Sequence, residues 1–125
     1  MNFLEYSIDQ ILEENQIPHT WSKSVKDEVT KLQLEKNLDR KDLLGSDFIT
    51  IDGKDAKDFD DAILCKKSKT GYKLSVAIAD VSSLVRPGSA IDKAAKERGT
   101  SIYFPNTVIP MLPEEISNDL CSLVP

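Results

Sequence analysis

The spacing of hydrophobic positions changes character once along the chain, near residue 40. Between residues 2 and 15, Leu4, Ile8, Ile11 and Leu12 recur at i, i+4, i+7 and i+8, with Glu5, Asp9, Glu13 and Glu14 mostly on the other side. That period predicts an amphipathic helix. Asn15-Gln16-Ile17-Pro18 ends it, because proline lacks the N–H a helix interior needs. A second helix is expected to open at Ser22 to Ser24, where Ser24 and Asp27 stand at capping-box spacing. Val25, Val29 and Leu32 give it one narrow apolar stripe, and it should fade by Asn37. Both helices are rich in charge and read as a packing appendage or connector.

Beyond the charged stretch Asn37–Asp47, closed by Gly45-Ser46, the period becomes two. Phe48–Ile51 reads as a short strand that delivers Asp52 at its end, with Gly53 allowing a turn that a Cβ would resist. Asp60–Lys66 and Tyr72–Val81 read as two further strands, joined into a hairpin by the turn Ser68-Lys69-Thr70-Gly71. Tyr72, Leu74, Val76 and Ile78 share one face. Ser75, Ala77 and Ala79 share the other, where small side chains permit close packing. Arg86-Pro87-Gly88 then breaks the chain, Ser89 with Asp92 caps a short helix, and Gly99 stops it. Ile91, Ala94 and Ala95 form the inner side of that helix. Ser101–Phe104 is extended up to Pro105, and a turn of helix is expected from Glu114 to Asn118. The pattern predicts an α+β fold: two N-terminal helices followed by a mostly antiparallel β-sheet with a short packed helix. Residues 1–39 form a helical connector and residues 40–125 a second domain. The apolar ending Leu120-Cys121-Ser122-Leu123-Val124-Pro125 is expected to pack against further sequence.

Composition narrows the function classes. With 40% hydrophobic and 30% charged residues in 125, the chain reads as ordinary globular protein with room for one modest core. A formal net charge of -5 gives no basic footprint for nucleic acid, so binding to phosphates would need cations to supply the positive charge. No apolar run approaches a membrane span. Cys65 and Cys121 are far apart and each lies among apolar residues, so both are expected as buried free thiols, which fits a reducing cytoplasm.

The chemistry concentrates in Asp52-Gly53-Lys54-Asp55-Ala56-Lys57-Asp58-Phe59-Asp60-Asp61, which holds five aspartates and two lysines between two apolar segments. Two unit charges about 4 Å apart repel by ~1 kcal/mol in bulk water and ~4 kcal/mol at an effective dielectric near 20. Gathering these carboxylates in one pocket therefore calls for a hard divalent cation with oxygen ligands. Asp58 and Asp60 stand at i and i+2, facing one way in extended backbone, and Asp61 faces the other. If Phe48–Ile51 runs alongside the next strand, Asp52 returns to the same site. Three or four carboxylates on two ions would suit in-line displacement at phosphate. An EF-hand loop fails: counted from Asp52, position 3 is Lys54 and position 12 is Ile63, and counted from Asp58, position 5 is Ala62. A paired-carboxylate glycosidase stays open as an alternative. His19, the only histidine, lies between helices and reads as structural. Spacing alone assigns Tyr103 and Phe104 to the core, although an exposed aromatic there would stack on a base.

The blocks ITIDGKDAKDFDDA at 49–62, LSVAIADVS at 74–82 and RGTSIYFPNTVIPMLPEEISNDLCSL at 98–123 together resemble the catalytic (RNB) domain of the ribonuclease II family, nearest to its ribonuclease R branch. The resemblance runs from about Arg40 to Pro125, and residues 2–36 resemble the helical stretch that precedes the domain. It implies a processive 3′-to-5′ exoribonuclease that hydrolyses single-stranded RNA to nucleoside 5′-monophosphates with Mg2+, or with Mn2+ in its place. Asp52, Asp58, Asp60 and Asp61 match the family's metal-site aspartates, with Asp60 taken as catalytic. Asp55 matches none. Tyr103 matches the tyrosine that stacks near the 3′-terminal nucleotide, which reverses its assignment to the core. The blocks cover roughly the first quarter of such a domain. The later phosphate-handling arginine, the aromatic partner of Tyr103 and the flanking OB-fold domains have no counterpart here. Two expectations follow: an N-terminal portion of an exoribonuclease catalytic domain, or a truncated product that binds metal or a partner without turnover.

Overall fold

The computed structural model describes residues 3–33, 39–54, 56 and 59–123. Its elements are helices and antiparallel strands, as the α+β pattern predicts. They fall into two packing units interleaved in sequence: Met1–Leu32 with Val85–Glu114, and Gln33–Leu84 with Glu115–Pro125.

In the first unit, helix α1 spans Phe3–Glu14 and α2 spans Lys23–Val29. Ile8 and Leu12 of α1 are buried, as the spacing requires, while Ile11 at its margin is exposed; the Leu4 side chain lies outside the described residues. Past the end of α1, Gln16 takes a positive φ of 52° and Ile17 N donates to the Leu12 carbonyl at 2.9 Å, closing the helix by a left-handed turn. The start of α2 is set by Ser22, not Ser24. Ser22 has extended dihedrals and its Oγ accepts from Val25 N at 3.3 Å, while the Ser24 hydroxyl bonds Ser22 itself. The helix ends at Thr30, sooner than its apolar stripe predicts, and Asn37 lies outside the described residues.

A longer helix of this unit, Ala90–Arg98, is bounded as its sequence specifies. Ser89 Oγ accepts from Asp92 N at 3.1 Å, and Gly99 closes the C-terminus with φ 74°. Ile91 is fully buried on its inner side, against α2, and Ala90 N donates to Glu28 Oε2 of that helix at 2.7 Å. A small hairpin follows, Ile102–Phe104 paired antiparallel with Thr107–Ile109 through the turn Pro105-Asn106. The second of these strands is not foreseen by the sequence reading.

The second unit is built on another hairpin. Strand β1, Asp61–Ser68, pairs antiparallel with β2, Gly71–Ile78, with Lys69-Thr70 as the connecting turn. Ile49 is bridged antiparallel to Ile63 at the outer edge of β1. The predicted strand does not run on to Val81: Asp80 starts a single helical turn, α3 (Val81–Leu84), that removes Val81 from the ladder. The small-residue face is the covered one, with Ala62, Ala79, Leu84, Ile116 and Cys121 buried. The large-residue face is open. Tyr72, Leu74, Val76 and Ile78 are each more than half exposed, and so is Ile49. Cys65, paired with Leu74 on that face, is therefore exposed, against expectation, while Cys121 is buried and free as expected. Near the end of the chain, where a turn of helix is expected from Glu114 to Asn118, Glu115–Leu120 is helical but wound as a π-helical segment. Among the described residues, no helix is long and apolar enough to cross a membrane.

Candidate acidic metal site

Three of the four sequence-derived metal aspartates, Asp52, Asp60 and Asp61, are described and exposed; Asp58 lies outside the described residues, as does Asp55. Their backbone is set by the edge of the β1–β2 hairpin. Ile49 N donates to the Ile63 carbonyl at 2.9 Å and Ile63 N returns a bond to Ile49 at 2.8 Å. The segment before the acids thus runs antiparallel to β1. Continued three residues from that bridge, its register sets Asp52 across from Asp60, although the pairing itself is confined to the bridge. Gly53 does not play the part expected of it. Its carbonyl accepts from Ala56 N at 3.0 Å, but a Cβ there would meet nothing within 4 Å and its φ is not positive.

Asp60 is gripped from two sides through its backbone. Its carbonyl accepts from Ala79 N at 2.8 Å, one step beyond the β1–β2 ladder. The preceding residue, Phe59, donates its N–H to Ser122 Oγ at 3.2 Å and accepts from Leu123 N at 2.9 Å. Asp61 begins β1 opposite Ile78, and alternation turns it to the other face from Asp60. The donor chemistry suits a hard divalent cation, since each described member of the set is a solvent-open carboxylate. Among the described residues, however, no three His, Cys, Asp or Glu side chains lie close enough together to hold a metal.

One acid beside this site is not singled out by the sequence reading. Asp80 follows β2 and takes three donors on its carboxylate: the Arg40 guanidinium, the Ser82 hydroxyl at 2.8 Å and Ser83 N at 3.2 Å. The Ser82 bond first, and then the Arg40 pair, hold its carboxyl below the usual carboxylate range. An available signal is the Asp-Val-Ser-Ser sequence after a strand, which is N-cap chemistry. Burial pushes the Cys121 thiol up, and the negative charges of Asp80 and Asp60 push it further, so both carboxylates act on one point.

Tyr103 belongs to the other unit. It stands opposite Val108 in the small hairpin and is 69% exposed, so the core assignment from spacing fails and the ring is free to stack. At the foot of this hairpin Arg98 lies over the Trp21 ring, 3.7 Å from its centroid, and donates to the Thr20 carbonyl at 2.9 Å. Its Nε is buried without a partner and burial lowers its pKa. A cavity of about 210 Å³ beside it is lined by Gln16, Ile17, Glu97, Arg98, Ile102 and Ile109. His19 is exposed, with Nδ1 3.0 Å from the Ile17 carbonyl, a local structural contact.

The RNB domain family model matches residues 40–125. The chain is 52% identical over 126 residues to ribonuclease R of Buchnera aphidicola from Acyrthosiphon pisum, covering 95% of this chain and 17% of that relative. It is 48% identical to ribonuclease R of Escherichia coli K12, covering 95% of this chain and 15% of the relative. Among solved structures it superposes on Mycoplasma genitalium RNase R in complex with double-stranded RNA with a TM-score of 0.88 at 41% identity, covering 95% of this chain and 22% of that one. The same enzyme in complex with ribose methylated single-stranded RNA gives 0.88. The chain thus spans 15% to 17% of the length of these two curated relatives.

Proposed function

The chain belongs to the RNB-domain family, and on that premise we propose that it supplies the acidic wall of a Mg2+-dependent 3′-to-5′ exoribonuclease acting on single-stranded RNA in the cytoplasm. Residues 1–39 serve as a helical lead-in and residues 40–125 as the first part of the catalytic domain. The observation that carries this reading is the antiparallel Ile49–Ile63 bridge, which brings the segment bearing Asp52 back toward the start of β1, where Asp61 opens the strand and Asp60 immediately precedes it. A Mycoplasma genitalium neighbour solved with single-stranded RNA supports the substrate class.

Asp52, Asp58, Asp60 and Asp61 are the residues that would hold the cation; when bound, it polarises phosphate oxygens and makes water a better nucleophile at neutral pH. The chain's own part is orientation. The two-sided grip on the Phe59–Asp60 backbone fixes where the Asp60 carboxylate starts from, and exposed Tyr103 offers a ring for a terminal base, worth roughly 1–3 kcal/mol per stacked base. With a net charge of -5 the chain repels RNA on its own. Cations at the aspartates offset that repulsion locally. The test is an assay of the full-length protein on 5′-labelled single-stranded RNA with Mg2+. Stepwise loss of nucleoside 5′-monophosphates from the 3′ end is expected, and Asp60→Asn should stop it while RNA is still bound. Internal cuts, or an unimpaired Asp60→Asn enzyme, would refute it.

A second reading, that these 125 residues alone bind a cation or partner without turnover, is favoured by the open apolar face of β2. Mononucleotide release by the 125-residue chain would exclude it.

A further inference from the structure

Arg40 and Asp80 are 40 residues apart in sequence, yet their side chains pair at the end of β2. The backbone on either side of Asp80 is anchored, with Ala79 9% and Leu84 4% exposed, while the pair itself lies in solvent. Exposed ion pairs contribute little to stability, with a median of about 0–1 kcal/mol, so its importance lies elsewhere. Ala79, immediately before Asp80, donates the hydrogen bond that holds the Asp60 carbonyl. Asp80 therefore sits one residue from the grip on the acidic site. Its carboxylate is occupied by Arg40, Ser82 and Ser83, and Ser83 Oγ also donates to its carbonyl at 2.8 Å. An unpaired Asp80 would add one more negative charge beside a segment already crowded with them.

We propose that Arg40 and Asp80 form a charge-balanced positioning pair for the acidic site, in which Arg40 cancels the charge of Asp80 so that the field at Asp60 is set by the site's own aspartates. This rests on the metal-site reading above. The Arg40–Asp80 pair and the hydrogen bond from Ala79 to the Asp60 carbonyl set the two charges beside the backbone that carries Asp60. Neither residue touches substrate; both work through Asp60.

Two measurements on the 125-residue chain at low salt test the pair: Mn2+ titration followed by electron paramagnetic resonance, and ionisation of Cys121 followed by 13Cβ NMR in a Cys65→Ser background. Arg40→Gln should tighten Mn2+ binding by roughly three- to tenfold, the order expected for one unit charge acting on a divalent ion through water at low salt, and should shift Cys121 ionisation to higher pH. Asp80→Asn should do the opposite in both. The double variant and the charge-preserving Arg40→Lys should lie near the parent. Shifts of one sign in Arg40→Gln, Asp80→Asn and the double variant would mean a merely structural pair and overturn the proposal, as would no shift in either measurement. Should the parent chain bind no Mn2+, the metal-site reading for it fails, and the thiol titration alone then decides the pair.

Discussion

Ile91→Ala is the sharpest probe of the first packing unit. Ile91 is fully buried on the inner side of the Ala90–Arg98 helix, facing α2, where Val25 is 2% exposed. Removing a buried Ile side chain to Ala costs about 2–5 kcal/mol, from lost transfer energy and from the cavity left behind. Alanine's better helix propensity returns only a few tenths of a kcal/mol. A loss of about 3 kcal/mol is expected, against about 1 kcal/mol for Ile91→Val. With a urea m-value of about 1–3 kcal/mol/M, the alanine variant should unfold about 1–3 M earlier. The assay is built in. Trp21 is the only tryptophan and is stacked by Arg98, the last residue of the same helix, so its fluorescence follows this unit. A midpoint within about 0.2 M of the parent, or equal shifts for the alanine and valine variants, would show that Ile91 is not sealed between the helices as described.

Ser89→Ala should cost about 1 kcal/mol in the same assay, since it removes the acceptor for Asp92 N at the start of the helix; Ser89→Gly should cost less. The carboxyls of Asp80 and Asp92 are both held below their ordinary value of 3.8, Asp80 first by the Ser82 hydroxyl and Asp92 first by Lys96. Their contribution is thus present above pH 3.8 and lost as pH falls through the depressed native values, so Asp92→Asn should flatten the acid limb of a stability–pH curve. The Cys121 thiol is pushed up from 9.0, which makes its contribution complete below that pH and lost as the pH climbs toward the raised native value. In the native chain at pH 8, an aromatic disulfide reagent should modify exposed Cys65 quickly and buried Cys121 only on unfolding. Two equally fast thiols would contradict the packing of Cys121.

What the sequence made legible is the chemistry that acts over three or four residues. Ser89, Asp92 and Gly99 mark a helix because a hydroxyl, a carboxylate and a residue tolerant of positive φ each answer a local need at its ends. At Ser22 and Ser24 the same rule offers two candidates. The backbone decides between them, since only Ser22 is extended and aims its hydroxyl at Val25 N. The Thr107–Ile109 strand escaped because three residues between turns carry too little period to register, although Pro105-Asn106 is turn chemistry. Alternation correctly grouped Tyr72, Leu74, Val76 and Ile78 on one face of β2. Which face becomes covered depends on elements far away in sequence, and here the small residues are covered, which also exposes Cys65. The acidic site divides the same way. Five aspartates in ten positions announce themselves, and the Ile49–Ile63 bridge supplies the pairing that the flanking apolar segments imply. Asp80 carries no such neighbourhood in sequence. Its backbone comes next to that of Asp60 only once β2 has folded back along β1, so a reading by local density of acids passes over it.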